Sequence, residues 1–368
     1  MTDRSRLSVV LLAFLPVTAA ADLLHWGESV VFFAAIAAII PLAVWLSTAT
    51  EALSISLGPL VGGLLSALFG NATELIIALT ALRAGLVDVV KASITGTVMG
   101  NLLLVIGLAM LTGGIGRIEQ RFQPVLARVN GAAMTLAVLS ILLPSLRAMG
   151  DSASGHANES FSIFVAWVLL IVYGLTLLFS LGTHRTLYAV AEANVGEASS
   201  HEHGEVEAAP SRPLLLPWLA VLTGCTLGLA YASEQFVGVV EPVTNRVGLT
   251  PIFTGVILLP QLGGISDYFS AVTMARKDKM DLSMSVALNS TLLFALLVVP
   301  MLVLVGPLLG HPIDLSFNVY ELVAIFTAVV VSNFVSLDGR SDWLGGVLLV
   351  AAYVILAAGF FFEAGSIP

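Results

Sequence analysis

The chain has 368 residues, of which 58% are hydrophobic and only 11% are charged, and its mean hydropathy is +0.99. Soluble proteins have roughly 25% charged residues, so this composition excludes an ordinary water-soluble domain and indicates a chain embedded in lipid. The net charge of −9, without a basic stripe, gives no reason to expect nucleic acid as a partner.

A transmembrane helix needs about 20 mostly apolar residues, and this length predicts eleven spans. They lie near residues 7–24, 30–50, 57–82, 88–112, 130–149, 160–182, 214–236, 249–275, 281–308, 318–337 and 342–362. We therefore expect an all-α, multi-pass integral membrane protein. An odd number of spans puts the two termini on opposite sides of the bilayer.

Positive charge is distributed unevenly between the loops on the two sides. Loops on the N-terminal side hold 11 of the 15 Lys and Arg residues: Arg4, Arg6, Arg117, Arg121, Arg128, Arg185, Arg212, Arg276, Lys277, Lys279 and Arg340. Because cytoplasmic loops carry the excess of Lys and Arg, we predict a protein of the cell (inner) membrane with a cytoplasmic N-terminus and an external C-terminus. The acidic, His-containing segment 184–212 is then a cytoplasmic, solvated linker.

The chain contains an internal repeat at an offset of 193 residues, which aligns Gly70–Glu74 with Gly263–Asp267 and makes the two acids coincide. The repeat predicts a leading span (1–28), a five-helix half (29–183), the linker (184–212) and a second five-helix half (213–368). Because five spans reverse the direction of entry, the second half is inverted relative to the first, as in many secondary transporters.

Each half carries one acid in the middle of an apolar span, Glu74 in the first and Asp267 in the second. A carboxylate at this depth costs at least about 2.5 kcal/mol, so both are predicted cation or proton sites. Polar residues follow the same spans and predict further ligands: Asn71, Asn101, Ser266, Asn289 and Ser290. Glycines there allow close helix approach, and Pro260 is expected to help break the eighth span.

Three further residues are secondary candidates for an ion or proton pathway: Glu51, Glu234 and Thr97. Glu51 and Glu234 lie near span ends, where a side chain reaches water at little cost. Both can therefore equally be ordinary surface residues without a part in an ion pathway.

The stretches Gly70–Leu79, Val90–Gly96 and Gly100–Leu104 together resemble the first signature repeat of the CAX family, Ca²⁺/H⁺ exchangers of the Ca²⁺/cation antiporter superfamily. The resemblance extends through Lys279–Leu282 and Leu337–Ser341. It implies an antiporter in which Glu74 and Asp267 hold either a cation or protons. It also makes the Glu- and His-rich linker similar to the acidic loop between the family's two halves.

The second signature departs from this pattern. Where the family has Gly-Asn-Ala-Ala-Glu-His, the chain has Gly263-Gly264-Ile265-Ser266-Asp267-Tyr268, and Leu293 stands where the family has Gln. Two amides are thus absent and the acid is shorter by one methylene, whereas Asn289 adds an amide. Two negative charges remain for a divalent ion.

These observations favour exchange of Ca²⁺ for H⁺ by alternating access, with no cofactor beyond the transported ions. Two alternatives stay open: an antiporter of the same architecture for Na⁺, K⁺ or Mn²⁺, and a membrane cation sensor without transport. An enzyme is not expected, because no nucleophile with a base and an orienting group occurs at usable spacing. The expected partners are inorganic cations and the lipid bilayer, and assembly into a homo-oligomer is left open.

Overall fold

The computed structural model describes residues 13–150, 155–180, 215–336 and 338–364. These residues form thirteen helices and two short strands. In chain order they are α1 (Phe14–Leu23), α2 (Glu28–Leu57), α3 (Pro59–Phe69), α4 (Ala72–Arg83), α5 (Val87–Gly114), β1 (Gln120–Arg121), α6 (Pro124–Ala148), α7 (Gly155–Leu178), α8 (Leu215–Val247), α9 (Pro251–Gly263), α10 (Ile265–Arg276), α11 (Met280–Leu309), α12 (Val319–Ser336), β2 (Arg340–Ser341) and α13 (Trp343–Ala364).

Most of these helices cross a bilayer by length and apolarity, which confirms the predicted all-α membrane architecture. Eight helices meet these criteria singly, and the bent pairs α3–α4 and α9–α10 raise the number to ten within the described residues. The predicted first span, 7–24, starts outside the described residues, and α1 covers only its later part. The total of eleven spans therefore stays a prediction.

The internal repeat is visible in the helix boundaries. Helices α4 and α10 begin 193 residues apart and also end 193 residues apart, and α5 and α11 again begin at this offset. Each half contains a long helix, a bent pair, a long helix with a π-helical segment, and two further helices. The predicted linker 184–212 lies outside the described residues, so the domain boundaries proposed from the sequence stay predictions.

The eighth span is broken, as expected from the sequence. Helices α9 and α10 meet at 61° at Gly264, four residues after Pro260. The amide of Gly264 still donates to the carbonyl of Pro260 at 2.9 Å, so helical hydrogen bonding continues past the proline. The bend thus lies at the glycine, and a contribution of Pro260 to the break stays a prediction.

Pro260 lies where α5 and α9 cross closely. Because proline has no N–H, it cannot donate to the carbonyl of Val256, one turn earlier. Gly96 of α5 lies directly against this carbonyl, since a Cβ atom on Gly96 would be only 1.9 Å from the Val256 oxygen. Gly255 approaches α5 in the same way, with its Cβ position 2.6 Å from the Val89 oxygen. The two backbones thus touch where only glycine fits.

At one end of the bundle, the α5–α6 connection is joined to the second half. Strands β1 and β2 pair antiparallel, with Gln120 opposite Ser341. The Gln120 amide also donates to the carbonyl of Ala275 at 2.9 Å and to Asp278 at 2.8 Å. These bonds hold the C-terminal end of α10 against the end of α5.

At the opposite end, the α11–α12 connection is anchored by Asp314. Its carboxylate forms an ion pair with Lys91 and accepts hydrogen bonds from Asn158 at 3.0 Å and from the Ser316 hydroxyl at 2.7 Å. Burial alone would raise the pKa of Asp314, but the hydrogen bonds and the charge of Lys91 outweigh it and lower this pKa below its ordinary value. The second half is thus tied to α5 and α7 of the first.

We expect Gly96→Ala to destabilise the protein, because its Cβ would overlap a backbone carbonyl that cannot move without displacing a helix. Overpacking of this kind costs about 1–3 kcal/mol. Gly174→Ala is the matched control, since nothing lies within 4 Å of its Cβ position on α7. Thermal unfolding in detergent, followed by size-exclusion chromatography, measures both, and equal midpoints for the two variants would contradict the proposed crossing.

Asp314→Asn is expected to lower the unfolding midpoint by a few degrees at pH 7. A carboxylate with a lowered pKa stabilises the fold fully above its unfolded pKa of about 3.9, and this contribution is lost as the pH falls through the folded value. The difference from wild type should therefore shrink below about pH 4. The exposed Asp338→Asn serves as control, and a difference that did not change with pH would count against the ion pair.

Candidate cation site

Both acids lie where a span is broken. Glu74 is in the first turn of α4, just after the 43° bend between α3 and α4, and Asp267 is in the first turn of α10. The free N–H groups of a helix N-terminus favour negative charge. The two breaks therefore bring two helix N-termini, each with its own carboxylate, into the interior of the bundle.

Glu74 reaches from the first half to the break in the second. Its side chain is buried, with 8% of its surface exposed. A Cβ atom on Gly263 would lie 2.7 Å from the Cγ of Glu74, and a Cβ on Gly264 would lie 3.6 Å from its Oε1. Asp267 is partly exposed, and its backbone amide donates at 2.9 Å to the carbonyl of Gly264, the residue that faces the Glu74 carboxylate. The acids of the two halves thus share one site.

Two asparagines of the first half meet Ser290 of α11. The Asn71 amide donates to the backbone carbonyl of Ser290 at 3.0 Å, and the Ser290 hydroxyl lies 3.3 Å from the Asn71 side-chain oxygen. The Asn101 amide, in the π-helical segment Gly100–Val105 of α5, donates to the Ser290 hydroxyl at 3.3 Å. Ser290 therefore orients both amides.

The hydroxyls of Ser266 and Ser290 also lie beside the Asp267 carboxylate. Six of the residues singled out from the sequence are thus brought together: Asn71, Glu74, Asn101, Ser266, Asp267 and Ser290. They come from α4, α5, α10 and α11 and from the turn before α4. Each half contributes to a single oxygen-rich cluster.

Three other candidates lie outside this cluster. Asn289 is exposed, because it precedes the buried Ser290 and points to another face of α11. Glu51 on α2 and Glu234 on α8 are exposed as well. Asn289 and Ser290 face different surroundings because adjacent residues of a helix point about 100° apart.

Thr97 lies beside Glu74, but on a different side from the asparagines. Thr97 and Ser93 line a small cavity together with Glu74, against the apolar walls formed by Leu259 and Phe294. Sequence reasoning did not single out Ser93. Its spacing of four residues from Thr97 on α5 was the available signal, because such residues share a helix face.

The cluster has the chemistry of a site for a hard cation. Carboxylate, amide and hydroxyl oxygens are the ligands that Ca²⁺ takes, usually six to eight at a time. Among the described residues, no group of three or more His, Cys, Asp or Glu side chains is placed to hold a metal. The cluster instead combines two acids with amide and hydroxyl oxygens.

Known proteins resemble this chain over nearly its whole length. The family described as sodium/calcium exchanger protein matches residues 27–182 and 217–362. A Ca²⁺/H⁺ antiporter of Aphanothece halophytica is 48% identical over 99% of this chain and 98% of its own length. A Ca²⁺/H⁺ antiporter of Synechocystis sp. is also 48% identical, over 99% of each chain. The solved structure of native YfkE has a TM-score of 0.81 and 33% identity, covering 96% of this chain and 99% of that one.

Proposed function

This chain belongs to the sodium/calcium exchanger protein family, and we propose that it is a secondary antiporter that exports Ca²⁺ in exchange for H⁺ by alternating access. The observation that carries the proposal is the shared site of Glu74 and Asp267. Carboxylates from the two halves lie on either side of Gly264 there, near amide and hydroxyl groups.

Electrostatics explains why such a site would exchange ions instead of simply holding one. Two neighbouring negative charges inside a packed bundle are costly. A divalent cation neutralises both, and protons on the carboxylates do the same. Because the same oxygen atoms serve both ligands, a bound cation excludes the protons and bound protons exclude the cation.

This mutual exclusion couples the two fluxes. With both charges neutralised, the site can pass from one side of the apolar barrier to the other. With both charges bare, that movement is opposed by the cost of burying them. The empty carrier is therefore held back, which is what distinguishes an antiporter from a uniporter.

We further propose that the protein lies in the cell membrane with its N-terminus in the cytoplasm. The support is the excess of Lys and Arg in the loops on that side. Transported Ca²⁺ and H⁺ are its ligands, and it needs no cofactor.

One feature favours a weaker or different ion preference within the same architecture, for Na⁺, K⁺ or Mn²⁺. Gly264 faces Glu74 without offering a ligand, and the Leu293 side chain lies 3.4 Å from the Cβ position of Gly70, beside the break of the first half. Both positions thus border the site but supply no oxygen from a side chain. The cation sensor without transport has no such observation in its favour.

Glu74→Gln and Asp267→Asn are each expected to reduce Ca²⁺/H⁺ exchange by roughly a hundredfold, the scale of about 3 kcal/mol for removing one partner from a buried charged site. The assay follows collapse of a preset pH gradient in vesicles when Ca²⁺ is added, with Na⁺, K⁺ and Mn²⁺ in parallel. Glu241→Gln, an exposed acid of α8, is the matched control. Full exchange by Glu74→Gln would overturn the assignment.

Gly264→Asn and Leu293→Gln are expected to strengthen Ca²⁺ binding by roughly fivefold each, about 1 kcal/mol for one added oxygen ligand. The Cβ of asparagine at 264 would lie 3.6 Å from Glu74 and 3.3 Å from the Pro260 carbonyl, so this carbonyl has to shift by a few tenths of an ångström to accept the side chain. The half-saturating Ca²⁺ concentration for exchange measures the effect. Gly238→Asn, at a glycine with open space around it, should leave it unchanged, and an unchanged value in the first two variants would mean that these positions do not face the ion.

A further inference from the structure

A bridge of three polar side chains, Gln261, Tyr268 and Tyr353, lies next to the cation site. The Gln261 amide of α9 donates to the Tyr353 hydroxyl of α13 at 2.9 Å. The Tyr268 hydroxyl of α10 lies beside the same amide, because the Tyr268 oxygen and the Gln261 nitrogen are 3.1 and 3.5 Å from one point, the Cβ position of Gly100. One amide between two phenols therefore connects three helices of the second half.

The bridge packs against Gly100, the first residue of the π-helical segment of α5. A Cβ atom on Gly100 would lie 3.1 Å from the Tyr268 hydroxyl and 3.5 Å from the Gln261 nitrogen. Gly100 opens the segment and directly precedes Asn101, which binds Ser290 in the cation site. A side chain at residue 100 would push the bridge away, so the absence of one lets α10 approach α5 closely.

The ring of Tyr268 borders the site from its other side. A Cβ atom on Gly264 would lie 3.7 Å from the Tyr268 ring and 3.6 Å from a carboxylate oxygen of Glu74. Tyr268 also directly follows Asp267 in α10. The bridge is thus in contact with the helix that carries one acid and with the surroundings of the other.

The first half has no equivalent of this bridge. At the repeat offset of 193 residues, Gln261 corresponds to Leu68 and Tyr268 to Leu75, and Gly100 corresponds to Leu293. Apolar side chains therefore stand where the second half has an amide, a phenol and the glycine beneath them. The backbone repeats, but the polar bridge borders only one side of the site.

We propose that Gln261 and Tyr268 are positioning residues that set the width of the cation site, an inference that rests on the proposed antiport of Ca²⁺. Because the Tyr268 hydroxyl and the Gln261 amide pack against Gly100 at the start of the π-helical segment of α5, they set the separation of Asp267 and Asn101. Selection among hard cations depends on cavity size and on the rigidity of the ligands. A satisfied buried polar network supplies that rigidity.

Loss of the bridge should therefore relax selection by size instead of abolishing transport. Removal of one hydroxyl frees α10 to move away from α5, and a wider site accepts Sr²⁺ and Ba²⁺ more readily. Tyr353 acts through Gln261 by holding its amide in place. Tyr353→Phe should consequently have the same direction of effect as Tyr268→Phe, but a smaller size.

The experiment measures half-saturating concentrations of Ca²⁺, Sr²⁺ and Ba²⁺ for proton exchange in vesicles, for wild type and for Tyr268→Phe and Gln261→Leu. We expect the Ca²⁺ value to rise roughly fivefold, the maximal rate to change little, and the preference for Ca²⁺ over Ba²⁺ to fall. The exposed Tyr320→Phe is the matched control. A uniform loss for all three ions, with an unchanged preference, would overturn the proposal.

A second pair of variants tests the contact itself. Gly100→Ala should weaken Ca²⁺ selection because its methyl group displaces the Tyr268 hydroxyl. In the double variant Gly100→Ala with Tyr268→Phe this clash is gone, so the two effects should be less than additive. Strict additivity would mean that the hydroxyl and Gly100 do not act together.

Binding in detergent separates the inference from the proposed function. The shift of the unfolding midpoint by Ca²⁺, Sr²⁺ or Ba²⁺ reports site selectivity without any proton flux. If wild type binds Ca²⁺ in preference to Ba²⁺ and the bridge variants lose that preference, the inference holds even if no exchange is found. If wild type exchanges ions but the variants keep its preference, the inference fails and the antiport stands. A wild type that binds none of these ions would refute both.

Discussion

The placement of two carboxylates, Glu74 and Asp267, in one site inside the bundle is the constraint on which the rest of the molecule depends. Two like charges inside a helical bundle are stable only if something offsets them, and the fold supplies several partial compensations. Each acid lies in the first turn of a helix, and two serine hydroxyls lie beside Asp267. Neutral amides and hydroxyls stabilise the carboxylates but add no positive charge, so full neutralisation requires an ion from outside.

Close helix contacts surround the two acids. Helices α5 and α9 touch through Gly96 and Gly255, and α5 is held at both ends by contacts with the second half. The broken helices lie between these fixed points. Such an arrangement confines local freedom to the breaks and to the π-helical segments, which occur often at functional sites. The acids are thus positioned by rigid neighbours, although their own helices are interrupted.

The two halves share a backbone plan but differ in the side chains around the site. The first half supplies two asparagines, whereas the second supplies serines and the shorter acid. On the second side, an amide and two phenols form a bridge next to the ion ligands. An inverted repeat needs only similar helix geometry to switch between two faces. The ligand set is therefore free to diverge, and selectivity can depend on one half more than on the other.

The sequence was enough to predict a multi-pass helical exchanger, from its hydropathy, its 193-residue repeat and its signature stretches. It also singled out both acids, because the cost of burying a carboxylate in an apolar span is a local property of the sequence. These sequence features could not distinguish Ser290 from Asn289 as a ligand. Adjacent residues of a helix point about 100° apart, so only the orientation of α11 decides which of the two side chains faces the interior. The same features predicted a broken eighth span but not the exact bend, which lies at Gly264 because helical hydrogen bonding continues past Pro260 to that residue. The meeting of Gln261, Tyr268, Tyr353 and Gly100 came only from the tertiary structure, because it brings α5 and α13 to the consecutive helices α9 and α10, which lie far from both in the chain. Residue type thus determined what had to be neutralised, and packing decided which atoms surround it.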